Sequence, residues 1–268
     1  MGSEEVREGS FSVKGKVAIV IGAAKGIGKS IAMLFAQLGG KVMLADYDYK
    51  ELKVLRDELK DQGAQIDLYK VDIRSASEVR ELGNKCLSEF GKIDAVYITP
   101  GINVRKKLLD YSDEEVDKVF DLNLKGNLIA MRELAKLMAQ NGGNGSIIVM
   151  SSIRSLVVEP GQAVYSATKA GIVQLVKGLA SEIGNSNIRV NAIAPGVVDT
   201  PLTAPIKNDT EWYEAYKNKT ALKRWATVEE IAGPGIFLAM DAASYIDGTV
   251  LFIDGGWTAI DGRFEPRL

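Results

Sequence analysis

The chain has no histidine among its 268 residues. That absence removes Ser-His-Asp hydrolysis, histidine general bases and most zinc centres in one step. It has a single cysteine, Cys86, so no internal disulfide is possible and a reducing, cytoplasmic setting is expected. No apolar run approaches the roughly 18 uncharged residues of a membrane span. The acidic, polar start MGSEEVREGSF does not read as a secretory signal. Charge of one sign is also lacking: the net charge is −2, which points to neither nucleic acid nor an anionic membrane as partner. Acid–base chemistry therefore falls to Tyr, Lys, Asp, Glu or Cys86.

What is present is ordinary for a globular chain, with 46% hydrophobic and 25% charged residues. From Lys16 onward, short β-branched runs alternate with helical stretches. Strands are predicted at 17–22, 41–46, 66–72, 93–98, 145–152, 188–195 and 249–254. Helices are predicted near 27–38, 49–62, 75–90, 113–140, 163–183 and 227–240. Continuous apolar strands separated by helices imply a parallel sheet covered on both faces, a doubly wound α/β fold of about seven strands, Rossmann-like, in one domain. Residues 1–14 read as a flexible arm ahead of a domain over 15–268. The insertion at 199–226, between the sixth strand and the helix after it, reads as a substrate loop.

GAAKGIG (22–28) follows the first strand directly and opens the first helix. Gly22 permits the tight turn, and Gly26 and Gly28 admit a pyrophosphate at the positive helix N-terminus. Asp46 ends the second strand, where a carboxylate accepts adenosine ribose hydroxyls and repels a 2′-phosphate. This argues for NAD over NADP, while Lys25 inside the glycine loop argues the other way. Asp72, ending the third strand, is placed either to meet the adenine edge or to cap a helix. In AVYSATK (163–169), Tyr165 and Lys169 lie one helical turn apart. An ammonium there favours the phenolate and makes Tyr165 a proton donor and acceptor near neutral pH. The plainer reading is an amphipathic helix that carries both residues. Ser152, at the end of the fifth strand, faces the same cleft.

Taken together these residues resemble the short-chain dehydrogenase/reductase family, from about Gly15 to Trp257. The glycine motif, Asp46, Ser152, Tyr165-x-x-x-Lys169, PGVVDT (195–200) and the stretch 222–257 fall in the family's order and spacing. The resemblance implies an oxidoreductase that interconverts an alcohol and a carbonyl with a nicotinamide cofactor. In it Tyr165 exchanges the proton and Lys169 lowers the Tyr165 pKa and binds the nicotinamide ribose. Ser152 orients the substrate oxygen, and Asn123 holds a relay water. Ile27, Ile73, Gly101, Pro195, Gly196, Val198 and Thr200 complete the cofactor set, with Val198 and Thr200 at the carboxamide. A homotetramer is implied as well. Two positions depart from the family: Ile21 replaces its usual Thr, and Ile98-Thr99-Pro100-Gly101 replaces its Asn-Asn-Ala-Gly. These groups tie the first turn to the fourth strand, so a local apolar repacking at Ile21 is expected.

For the substrate, Arg154 is read as a partner for a carboxylate, Glu159 as an acceptor of sugar hydroxyls, and Trp212 as part of a stacking wall. The loop aromatics are more readily read as packing for the loop itself. A sugar, polyol or sugar acid follows, with NAD. An NADPH-dependent carbonyl or 3-oxoacyl reductase is the alternative, and a non-catalytic nucleotide-binding regulator is a remote one.

Overall fold

The computed structural model describes residues 8–260. Seven strands form one parallel sheet: β1 (Val17–Ile21), β2 (Lys41–Asp46), β3 (Ile66–Lys70), β4 (Ala95–Ile98), β5 (Gly145–Met150), β6 (Ile188–Pro195) and β7 (Val250–Ile253). Their order across the sheet is β3-β2-β1-β4-β5-β6-β7. Val20 pairs with Leu44 on one side and Tyr97 on the other, so the order reverses beside β1. A crevice opens at such a reversal, outside the strands' carboxyl ends.

Alternation along β1 feeds two cores. Ala18 and Val20 join Ile31, Phe35 and Ile236 on one face, under helices α1 (Gly26–Gln37), α2 (Tyr49–Asp61) and the late helix Val228–Ala239. Val17, Ile19 and Ile21 join Leu82, Leu134 and Ile172 on the other. That second face lies under α3 (Ala76–Phe90), α5 (Asn127–Gln140) and α6 (Ala163–Ile183). All five β1 residues are buried, the pattern of a strand covered on both sides.

One predicted segment comes out differently. The stretch 113–140 is not one helix: α4 (Asp113–Phe120) and α5 are joined by a π-helical turn, Asp121–Gly126. Of the predicted flexible arm, residues 8–14 are described, with Phe11 two-thirds exposed. Phe11 stacks on Phe237 at 6.5 Å between ring centroids, and Val13 is buried. Residues 1–7 of that arm, and the tail beyond Ile260, lie outside the described residues. The loop 199–226 carries two short helices, α7 (Ala204–Lys207) and α8 (Thr210–Lys219), before α9 (Val228–Ala239). A bridge between Val198 and Ala226 holds its two ends together. Among the described residues no helix is long and apolar enough to cross a membrane. No group of acidic, cysteine or histidine side chains among them is arranged to hold a metal ion.

Candidate active site

The crevice is a cleft of about 640 Å³. Every residue assigned to the cofactor from sequence lines it, as do Ser152 and Arg154. Asn123, Glu159 and Trp212 stand behind its walls.

At one end is the glycine turn. Gly22 has φ +85° and Gly26 φ +59°, a region that favours glycine. A methyl group at Gly28 would lie 2.1 Å from the Gly22 carbonyl oxygen, so the helix starts this close to β1 only because the side chain is absent. Helices α2, α3, α4 and α8 each receive a side-chain cap at their N-terminus. α1 receives none and has no acidic residue in its first turn. Its free N–H groups and positive end suit a phosphate group. The residues therefore fit a dinucleotide.

Asp46 is fixed by two backbone donors, Ala24 N–H at 3.0 Å and Asp48 N–H at 2.9 Å. Lys25 forms an ion pair with Asp48 at 3.0 Å. Asp72 caps no helix; Ser75 caps α3. The Asp72 carboxylate lines the cleft and is gripped by Arg74, whose Nη2 lies 2.6 Å from Oδ2. That contact holds the Asp72 carboxyl below its usual range.

The departures near Ile21 are resolved differently from expectation. Ile21 is buried among apolar neighbours, but the polar tie survives. Thr99 Oγ1 donates to the Ile21 carbonyl at 2.8 Å, and Thr99 N–H donates to the same oxygen at 3.1 Å. One hydroxyl on β4's exit replaces the family's pair of groups.

At the other end, β5 and α6 clasp each other. Ser151 Oγ donates to the Lys169 carbonyl at 3.0 Å, and Lys169 Nζ donates to the Met150 carbonyl at 2.8 Å. Lys169 is only 2% exposed, and burial pulls its ammonium down to about 8. Nζ stands 5.6 Å from the Tyr165 ring centroid. The expected lowering of the Tyr165 pKa is not found: burial pushes the phenol up. The Ser152 hydroxyl, Arg154 and Arg105 pull against that shift, so the cations acting on the phenol are the arginines. Ser152 Oγ accepts from the Arg154 N–H at 3.1 Å, which leaves the hydroxyl proton free to point elsewhere.

Asn123 is fully buried in the π turn. Its Oδ1 accepts from Ile102 N–H at 2.8 Å, and its Nδ2 donates to the Ile102 carbonyl at 2.8 Å. Asn127, which sequence reading passed over, donates to the carbonyls of Asn123, Leu122 and Pro100 at 3.0, 3.1 and 3.3 Å. The signal for it was there: an asparagine four residues beyond Asn123, inside an apolar helix.

The substrate residues need the largest correction. Glu159 is not available to sugar hydroxyls. Its Oε1 accepts from Arg105, Gln162 and Tyr216, and its Oε2 accepts from Arg154. Burial pushes its carboxyl up, but these donors outweigh it and hold it below the usual range. Trp212 stacks over the Arg105 guanidinium, 4.8 Å from its ring centroid. Tyr213 and Trp225 stack at 5.0 Å, and Tyr216, Trp225 and Trp257 form a buried cluster. The loop aromatics pack the loop, the second of the two readings of the sequence.

Fold and cleft define a dinucleotide-dependent oxidoreductase. A family model described as enoyl-(acyl carrier protein) reductase matches residues 22–258. The 3-oxoacyl-(acyl-carrier-protein) reductase of Thermotoga maritima is 35% identical over 244 residues, covering 91% of this chain and 98% of its own. The 2-dehydro-3-deoxy-D-gluconate 5-dehydrogenase of Pseudoalteromonas atlantica is 34% identical over 251 residues, covering 92% and 97%. Among solved structures, a gluconate 5-dehydrogenase from Burkholderia cenocepacia in complex with NADP and tartrate superposes with a TM-score of 0.90 at 28% identity, covering 94% and 98%. The chain belongs to the short-chain dehydrogenase/reductase family. It is an oxidoreductase acting on CH–OH or carbonyl groups.

Proposed function

We propose that this chain is an NAD-preferring dehydrogenase that interconverts a secondary alcohol and a ketone on a sugar, polyol or sugar acid. The observation that carries the reading is the Tyr165 phenol, buried in the cleft wall with the Ser152 hydroxyl and two arginines acting on it.

Bound nicotinamide dinucleotide supplies the hydride chemistry. The chain's own residues handle the proton. Tyr165 holds it at the phenol oxygen, in reach of the substrate oxygen, and takes or gives it as the carbon is oxidised or reduced. Ser152 Oγ, anchored by the Arg154 N–H, directs its own proton toward that oxygen. Lys169, cationic below about pH 8, ties α6 to the end of β5 through the Met150 carbonyl, while Arg154 and Arg105 stabilise negative charge as the phenol loses its proton. Asn123 fixes Ile102 beside the cleft, next to Gly101, where a methyl group would come 3.3 Å from Lys169 Nζ. Asp46 and Asp48 place two carboxylates against one Lys25 at the far end, which disfavours a 2′-phosphate.

Replacing Tyr165 with Phe removes the proton carrier and keeps the ring. The expected result is normal cofactor binding, followed by intrinsic fluorescence, and turnover reduced by at least about 100-fold. Full activity in Tyr165→Phe ends the mechanism.

A second reading is an NADPH-dependent reductase of 3-oxoacyl or other carbonyl substrates. It is favoured by the half-exposed Lys25 at the cleft rim and by the Thermotoga relative. NADPH oxidation with an acetoacetyl thioester, absent with aldonates and alditols, selects it.

A further inference from the structure

We propose that Arg105 and Arg154 form a carboxylate-binding site at the substrate end of the cleft, so that the substrate is a polyhydroxylated acid rather than a neutral sugar or polyol. This rests on the reading of the cleft as an alcohol–ketone oxidoreductase site and narrows it.

Charge balance is the first support. Two guanidinium groups share one carboxylate, Glu159. The neighbouring cation Lys106 has its own partner in Glu115, 2.7 Å away. Lys207, on the loop, has Asp199. One positive charge is therefore left over in a water-poor corner, with the Arg154 side chain 6% exposed and that of Arg105 26% exposed. Buried charges are ordinarily paired or coordinated. An anionic group on the substrate completes the pairing.

Geometry is the second. Each guanidinium carries five N–H donors. The bonds to Glu159 and Tyr216 engage Nη1 and Nη2 of Arg105 and Nη2 of Arg154, so donors remain on both groups. Both arginines line the cleft. Their planes are held by aromatic faces, Trp212 against Arg105 at 4.8 Å and Trp257 against Arg154 at 5.4 Å. Such stacking fixes the fork before the ligand arrives and lowers the ordering entropy of binding. Glu159, by contrast, accepts from four donors, three of them on Oε1, and stands outside the cleft lining. Its place is between the arginines and not against the substrate.

A third observation points to hydroxyl groups on the same molecule. Asn103 lines the cleft, and its Nδ2 donates to Gln162 Oε1 at 3.1 Å. Its Oδ1 is buried and has no partner among the described residues. A buried acceptor left unmade costs about 1–3 kcal/mol, and a substrate hydroxyl satisfies it. A carboxylate for the arginines and a hydroxyl for Asn103, on a molecule whose carbinol meets Tyr165, describe a sugar acid.

Two readouts test this. The first is calorimetric titration of D-gluconate and of D-glucitol onto the protein with NAD present, for the wild type and for Arg105→Gln. The second is kcat/KM for a panel of aldonates, each matched with its alditol. Gluconate should bind where glucitol does not, and Arg105→Gln should weaken it at least about tenfold, the worth of one charge-assisted hydrogen bond. The acid-over-alditol ratio of kcat/KM should exceed about ten and collapse toward one in the variant. Turnover of alditols without preference for acids, or a ratio untouched by Arg105→Gln, overturns the carboxylate site and leaves the oxidoreductase reading in place. Arginine-dependent gluconate binding with no turnover of any panel member keeps the site and overturns the reaction. Absence of both binding and turnover sinks the two together.

Discussion

The proposed NAD preference rests on one residue, Asp46. Its two oxygens are already oriented by Ala24 and Asp48 N–H groups, so the carboxylate cannot swing away from an arriving ribose. The Lys25 ammonium, the one local argument for NADP, is turned toward Asp48. We expect Asp46→Ala to raise kcat/KM for NADP and lower it for NAD, shifting their ratio by about tenfold or more, equivalent to about 1.4 kcal/mol of removed repulsion and lost acceptor. Steady-state kinetics with both cofactors checks it; an unchanged ratio means another group reads the ribose. At this scale sequence legibility was uneven. The glycines, Asp46, Ser152, Tyr165 and Lys169 were legible because they sit at strand ends and helix starts that the doubly wound order brings to one cleft. Glu159 was not, because its partners Arg105 and Tyr216 come from segments 54 and 57 positions away. No local pattern marks a salt bridge closed across two loops. Nor did spacing show that burial, which raises the Tyr165 pKa, outweighs its neighbours.

The most informative element is the π turn between α4 and α5. Helical periodicity in sequence placed one long helical region over 113–140, since one extra residue in a turn barely disturbs a 3.6-residue pattern. The extra residue breaks the usual carbonyl ladder and faces Asn123 into the fold, where it clasps Ile102. Asn127 repairs the break by sharing its amide donors over three carbonyls, one of them at Pro100, across the cleft-side loop. Asn127→Ala is expected to destabilise the protein by about 2 kcal/mol, the worth of two net hydrogen bonds. It should also lower turnover, because Ile102 and Gly101 lose their backing. Urea unfolding alongside initial rates tests this, and a variant with wild-type midpoint and rate removes Asn127 from the account. The same logic explains Thr99. Read as a sequence, it was a departure; in the folded chain its hydroxyl restores the tie between β1 and β4.

For the whole molecule, seven strands and their helices were readable because a doubly wound sheet makes burial nearly local: each apolar run is one strand, and right-handed crossovers leave few orders to choose from. What the fold then exacts is burial of its own chemistry. Lys169 lies on α6 against the end of β5, its ammonium on the Met150 carbonyl, and its pKa falls from 10.5 to about 8. Between about pH 8 and 10 the folded state holds less than one proton on this group while the unfolded state holds nearly one. Unfolding therefore takes up a proton, and stability rises with pH across that window. Below pH 8 the cost of burying the ammonium is fully present, on the order of 3 kcal/mol at 1.36 kcal/mol per pKa unit. Cys86, pushed up to about 12 by burial, and Tyr97, also pushed up, act the other way: folding favours their neutral forms, so their contribution is lost as pH rises. These two are common to the wild type and to Lys169→Met, so the difference between the proteins isolates Lys169. Urea midpoints at neutral pH and near pH 9.5 should show the wild type gaining on the variant, by about 2 kcal/mol for a shift of this size. A difference that stays flat between the two pH values means the ammonium is not held in a low-dielectric site.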